Sequence, residues 1–138
     1  MSRRTRFVEL KDIFKKLHGP GGCLWDKKQT YSTLIPHFRE EARELVAAVK
    51  KRDYRHMEEE LGDILLHVMF YSQIASREKR FDVEDVIAGL IRKLKRRHPH
   101  VFGKVQAKSA RQIILNWSRI KAREKMAGKI KGGESGWR

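Results

Sequence analysis

The sequence predicts an all-α protein, a bundle of about five helices. Apolar residues recur at three- and four-residue spacing in five separate stretches, and Gly, Pro or short polar residues stand at the ends of those stretches. Nowhere does a run alternate apolar and polar residues as a half-buried strand does. At 138 residues the chain suits one domain, which we assign to residues 1–124. Residues 125–138 hold four of the ten glycines without an apolar period, and are expected to form a basic Gly/Lys-rich tail, disordered until bound.

Phe7, Leu10, Phe14 and Leu17 mark the first helix, stopped by Gly19-Pro20-Gly21-Gly22. Cys23 to Ile35 reads as a loop holding at most one helical turn. Pro36 suits the first position of a second helix, which runs to about Lys51 with Leu34, Phe38, Ala42, Leu45, Val46 and Val49 on one stripe. After a turn at Arg52-Asp53-Tyr54, a third helix extends to about Arg77. Met57, Leu61, Ile64, Leu65, Val68 and Ala75 form one of its faces, and Leu66 and Phe70 lie nearly opposite. A helix apolar on two sides needs cover from two directions, and a second copy of the chain is the expected cover. Asp82, with Asp85 three residues on, caps a fourth helix through Val83, Val86, Ile87, Leu90, Ile91 and Leu94, ended by Pro99. Ser109 and Gln112 resemble a capping box that opens a fifth helix through Ile113, Ile114, Trp117 and Ile120.

Thirty-two Lys and Arg against seventeen Asp and Glu give a formal charge of +15. From Val86 onward fifteen cations meet two acids, a field that favours polyanions such as nucleotides and, secondarily, nucleic acid. No apolar run is long enough for a membrane span, so no membrane partner is expected. The one cysteine, Cys23, excludes an internal disulfide, and with the absence of an apolar signal core it predicts a cytoplasmic location.

Against this basic background, residues 40–63 are acidic, with eight carboxylates and five cations. At 100° per residue, Glu41 and Glu44 fall on one shoulder of the second helix, and Glu60 and Asp63 on the corresponding shoulder of the third. Two carboxylate pairs on adjacent helices can therefore face each other. Like charges ~4 Å apart repel by about 4 kcal/mol at an effective dielectric near 20. A hard divalent cation reverses that sign, and carboxylates without Cys or clustered His suit Mg²⁺, with Mn²⁺ as a substitute. A solvated helix face is the alternative. Lys93 and Arg97 share a face of the fourth helix. Trp117 serves either as a core residue or as a platform for a base. His67, four residues after Asp63, is either a partner of a carboxylate or a packed core histidine, the commoner case.

The segments "GPGGCLWDKKQT", "HFREEARELVAAVKKRD", "EEELGDILLHVMFYSQIASREKRFDVEDVI", "KLKRRHPHVFGK" and "NWSRIKAREK" together resemble the MazG family of nucleoside triphosphate pyrophosphohydrolases over about residues 8 to 125. More closely, they look like the first domain of the tandem two-domain members, here without the second. The resemblance implies a dimeric all-α protein, with a tetramer as the alternative. It also implies Mg²⁺-dependent hydrolysis of a nucleoside triphosphate to the monophosphate and pyrophosphate. Position by position, it makes Glu41, Glu44, Glu60 and Asp63 metal ligands and gives Glu40 a role with water or a second ion. Lys93 and Arg97 reach the phosphates, Trp117 stacks on the base, and Lys121 follows Trp117. Leu24 replaces a family Pro. Arg39 and Arg43 depart from the family pattern beside the carboxylates, where they either compete with metal or grip phosphate. A nucleic-acid-binding or regulatory module with weak or no catalysis is the alternative function.

Overall fold

The computed structural model describes residues 4–130, all helix or connecting turn, with no strand among them. It divides into two compact units, one ending at Val86 and the other starting at Ile87. The first contains α1 (Arg6–His18), α2 (Leu24–Lys28), α3 (Tyr31–Lys51), α4 (Tyr54–Arg77) and the start of α5 (Val83–Arg97). The second contains the remainder of α5, α6 (Pro99–Phe102) and α7 (Ala110–Ile130). Two of these seven helices, α2 and α6, are too short to show an apolar period, which is why the sequence yields only five.

Local chemistry sets most boundaries. Thr5 caps α1 by accepting from the Val8 amide at 3.3 Å. The Gly21-Gly22 break then brings the Cys23 amide to the Leu17 carbonyl at 2.8 Å. A side chain at Gly22 would put its Cβ 2.2 Å from that same oxygen, so only glycine fits. The start of α3 corrects the expectation based on Pro36. Thr30 and Thr33 form a reciprocal capping box and set the N-terminus at Tyr31, so Pro36 lies inside the helix. Proline there removes one backbone donor, a loss that the cap and the rest of a 21-residue helix outweigh.

A six-residue Schellman turn joins α3 to α4. Arg52 takes the left-handed conformation (φ 54°), the Arg52 amide bonds Val49 O at 3.1 Å, and the Asp53 amide bonds Ala48 O at 3.0 Å. Asp53 then caps α4 through the His56 amide at 3.2 Å. Through this turn α3 and α4 pack against each other. Asp82 and Asp85 exchange bonds of 3.0 and 2.9 Å at the start of α5. At α7 the expected box is shifted: Ser109 accepts from Gln112, whose side chain reaches back to the Lys108 amide. The helix continues past Lys125 to Ile130, so residues 125–130 of the expected tail are helical, and 131–138 lie outside the described residues.

The core of the first unit takes part of the apolar surface of α4. Met69, Phe70, Ile74 and Ala75 are buried with Phe14 and Leu34, and Phe70 meets Phe14 and His18 edge-on. Leu61, Leu65, Leu66 and Val68 are instead 38–50% exposed. With apolar residues on two sides, α4 offers a choice of inward face. The contacts with α1 and α3 select the one that carries Glu60 and His67 inward.

Candidate functional site

The α3–α4 pair carries the carboxylates. One oxygen from each of Glu41, Glu60 and Asp63 lies within 4.8 Å of the others, although the three residues come from two helices. Glu60 is only 6% exposed, an unusual burial for a carboxylate without a cationic partner. Glu41 Oε2 and Glu60 Oε2 are inaccessible and receive no donor. The groups close enough to bond them are each other's carboxylates, which can do so only if one holds a proton. Glu44 is exposed but close enough to act on Glu60.

The electrostatics follow from this crowding. Burial pushes the Glu41 and Glu60 carboxyls above their ordinary range; a bond with Glu60 opposes this at Glu41 and one with Glu44 opposes it at Glu60, while the charges of the neighbouring carboxylates add to the rise. Glu44 is raised first by its contact with Glu60, then by that group's charge, with burial third. A cluster of this kind favours either a proton or a cation. Two buried oxygens without donors, in an all-oxygen donor set, fit a hard divalent ion better than they fit a structural ion pair.

The other expected site residues are placed as follows. Glu40 is exposed and accepts from Arg43 Nη2 at 2.9 Å, apart from the group of three. Arg43 thus forms an exposed pair with Glu40, and Arg39 is exposed. His67 is 3% exposed, packed edge-on against Phe38 at 5.5 Å, and its Nδ1 has no hydrogen-bond partner. Burial first, and His37 second, favour its neutral form against the opposing charge of Asp63. Trp25 is half-exposed and meets His37 and Phe70 edge-on, as a packing residue does.

Lys93, Arg97, Trp117 and Lys121 belong to the second unit. Lys93 and Arg97 are partly buried, and Lys121 is exposed. Trp117 is partly buried, edge-on to His98 at 5.3 Å, with its Nε1 enclosed and unpartnered. One residue of this unit escaped sequence reasoning altogether. Glu124 pairs with both Arg96 and Arg97 across α5 and α7, and a lone acid in a basic stretch gives no periodic signal of such a contact. It also borders a groove of about 680 Å³ that Arg119, Arg123 and Ile120 help to line.

Comparison with known proteins gives consistent results. Residues 29–102 match the MazG nucleotide pyrophosphohydrolase domain, a span that contains all five expected acidic residues with Lys93 and Arg97. A nucleoside triphosphate pyrophosphohydrolase/pyrophosphatase MazG of Thermotoga maritima is 48% identical over 130 residues, covering 94% of this chain and 49% of the relative. A nucleoside triphosphate pyrophosphohydrolase of Escherichia coli K12 is 41% identical over 117 residues, 84% of this chain and 44% of the relative. The chain thus spans about half the length of these curated relatives. The crystal structure of a mazG-related protein from Thermotoga maritima superposes with a TM-score of 0.67 at 29% identity, covering 82% of this chain and 96% of that one. No described helix is long and apolar enough to cross a membrane.

Proposed function

This chain belongs to the MazG nucleotide pyrophosphohydrolase domain family, and from that membership we propose that it hydrolyses nucleoside triphosphates to the monophosphate and pyrophosphate with Mg²⁺, Mn²⁺ serving as a substitute. The observation that carries the proposal is the convergence of Glu41, Glu60 and Asp63 oxygens within 4.8 Å, two of the buried carboxylate oxygens lacking donors. In this reading Glu41, Glu44, Glu60 and Asp63 hold the metal. The bound ion supplies charge neutralisation and a more acidic water.

The residues of the chain then divide the remaining work. Lys93 and Arg97 lie one turn apart on α5 and contact the phosphates; Trp117 provides a face for the base, with Lys121 one turn further on. Water attacks the α-phosphorus, the bond to the bridging oxygen breaks, and pyrophosphate leaves in line without a covalent enzyme intermediate. Positioning and charge stabilisation supply most of the acceleration. Glu40 keeps its other oxygen free of Arg43 and can orient that water through it. A homodimer completes the proposal, supported by the exposed Leu61, Leu65, Leu66 and Val68 of α4. Nucleotide-pool house-cleaning is the corresponding cellular role.

The test is pyrophosphate release from a panel of common and damaged triphosphates, for wild type and Glu60→Gln. Turnover in the variant should fall by on the order of a hundredfold or more, the loss typical of a removed transition-state contact, with helicity unchanged. Unchanged pyrophosphate release would sink the site assignment; orthophosphate with a diphosphate product would sink the reaction. A second reading, nucleic-acid binding, is favoured by the fifteen cations against two acids from Val86 onward. A gel-shift titration over salt, run beside the release assay, tests it through its counterion dependence.

A further inference from the structure

We propose that Glu124 is a positioning residue for phosphate recognition: its carboxylate holds the side edge of the Arg97 guanidinium and leaves the end edge to the ligand. This rests on the reading of Arg97 as a phosphate contact. It adds a residue of α7 that makes no contact with phosphate itself.

The geometry is specific. Glu124 Oε2 accepts from Arg97 Nη2 at 2.9 Å, and its Oε1 accepts from Arg97 Nε at 3.5 Å and from Arg96 Nε at 2.6 Å. The Glu124 side chain is 13% exposed and that of Arg97 17%, so the pair is held largely out of water. A guanidinium presents five N–H donors in one plane. Glu124 takes the side edge formed by Nε and Nη2. The end edge, formed by Nη1 and the second hydrogen of Nη2, keeps the fork that matches two phosphate oxygens.

Charge supports the same division of labour. One carboxylate between two guanidiniums leaves the group with a net positive charge, which a structural pair alone would cancel. Burial pushes the Glu124 carboxyl upward, but the bonds from Arg97 and Arg96 reverse this and hold it below the ordinary range, so it is ionised at neutral pH. A long flexible side chain fixed in this way loses less conformational freedom when phosphate arrives.

The experiment uses the full chain with Mg²⁺. KM and kcat for pyrophosphate release from ATP, or from whichever panel triphosphate is turned over, are measured for wild type, Glu124→Gln, Glu124→Asp, Arg97→Lys and the double variant Arg97→Lys/Glu124→Gln. The affinity of inorganic tripolyphosphate is measured in parallel by calorimetry, and helicity by circular dichroism. Glu124→Gln should raise KM and weaken tripolyphosphate about tenfold with a smaller change in kcat, and the double variant should be little worse than Arg97→Lys, as coupled neighbours are. Glu124→Asp, which keeps the charge and provides the check if the Gln variant does not fold, should recover part of the loss.

Additive effects in the double variant, or wild-type KM and tripolyphosphate affinity in folded Glu124→Gln beside an impaired Arg97→Lys, would overturn the role of Glu124 and leave the phosphate site standing. Wild-type behaviour of Arg97→Lys would instead overturn the phosphate assignment of Arg97, and the inference with it. Tripolyphosphate binding reads the coupling whether or not turnover is observed.

Discussion

Glu60 sits where α3 and α4 meet, 6% exposed, beside Glu41, Glu44 and Asp63. Its raised carboxyl and those of Glu41 and Glu44 have a defined consequence for stability. A group whose folded pKa exceeds its unfolded value binds its proton more tightly in the fold, so its stabilisation is complete at low pH. That stabilisation is lost as pH rises from the ordinary carboxylate range through the raised values. Asp53, Glu78, Asp82 and Glu124 are shifted the other way, and their contribution disappears only below that range. His67 and His18, which burial keeps neutral, act the other way as pH falls, so the cluster is read from the difference between wild type and Glu60→Gln. Without metal, the stability of wild type relative to the variant should fall from mild acid to neutral pH, and Mg²⁺ should raise the Tm of wild type at neutral pH. Melting curves over pH with and without Mg²⁺, on wild type and Glu60→Gln, check this. The variant should melt higher than wild type without metal and gain less from it. A difference between the two proteins that does not change with pH would contradict the cluster's electrostatics.

At the scale of single elements, the α3–α4 turn is what makes the site possible. Its left-handed residue is Arg52, not glycine, and a side chain in that conformation is strained. Arg52→Gly should stabilise the protein by about 0.5–1 kcal/mol, because relief of the strain exceeds the added entropy of the unfolded chain. Denaturant unfolding measures it, and destabilisation would mean that the Arg52 side chain makes contacts worth more than the strain. The same element shows how local signals compete. Pro36 marked a helix start in the sequence, but the reciprocal bonds of Thr30 and Thr33 set it at Tyr31. By contrast, Asp82 with Asp85 behaved as its spacing indicated, because both partners of the cap lie within one turn.

For the whole molecule, the apolar residues left outside carry the next expectation. Leu61, Leu65, Leu66 and Val68 are each more than a third exposed on α4, which suits cover by a second copy. Leu65→Glu should convert the proposed dimer to monomer in sedimentation experiments and make melting independent of protein concentration. A wild-type chain that sediments as a monomer at all concentrations would refute the dimer itself. Fold class and helix order were legible in the sequence because helical periods and caps are local, set by residues three or four apart. The approach of Glu41 to Glu60 and Asp63 was legible for the same reason, since these residues lie on matching shoulders of consecutive helices. Tertiary structure decided what those local rules leave degenerate. It chose which side of the doubly apolar α4 faces inward, placing Glu60 and His67 inside and Leu61 and Leu65 outside. It bonded Glu40 to Arg43, apart from the three converging carboxylates. It also brought Glu124 to Arg97 across 27 residues, a pairing that depends on how two helices pack and so has no spacing to betray it.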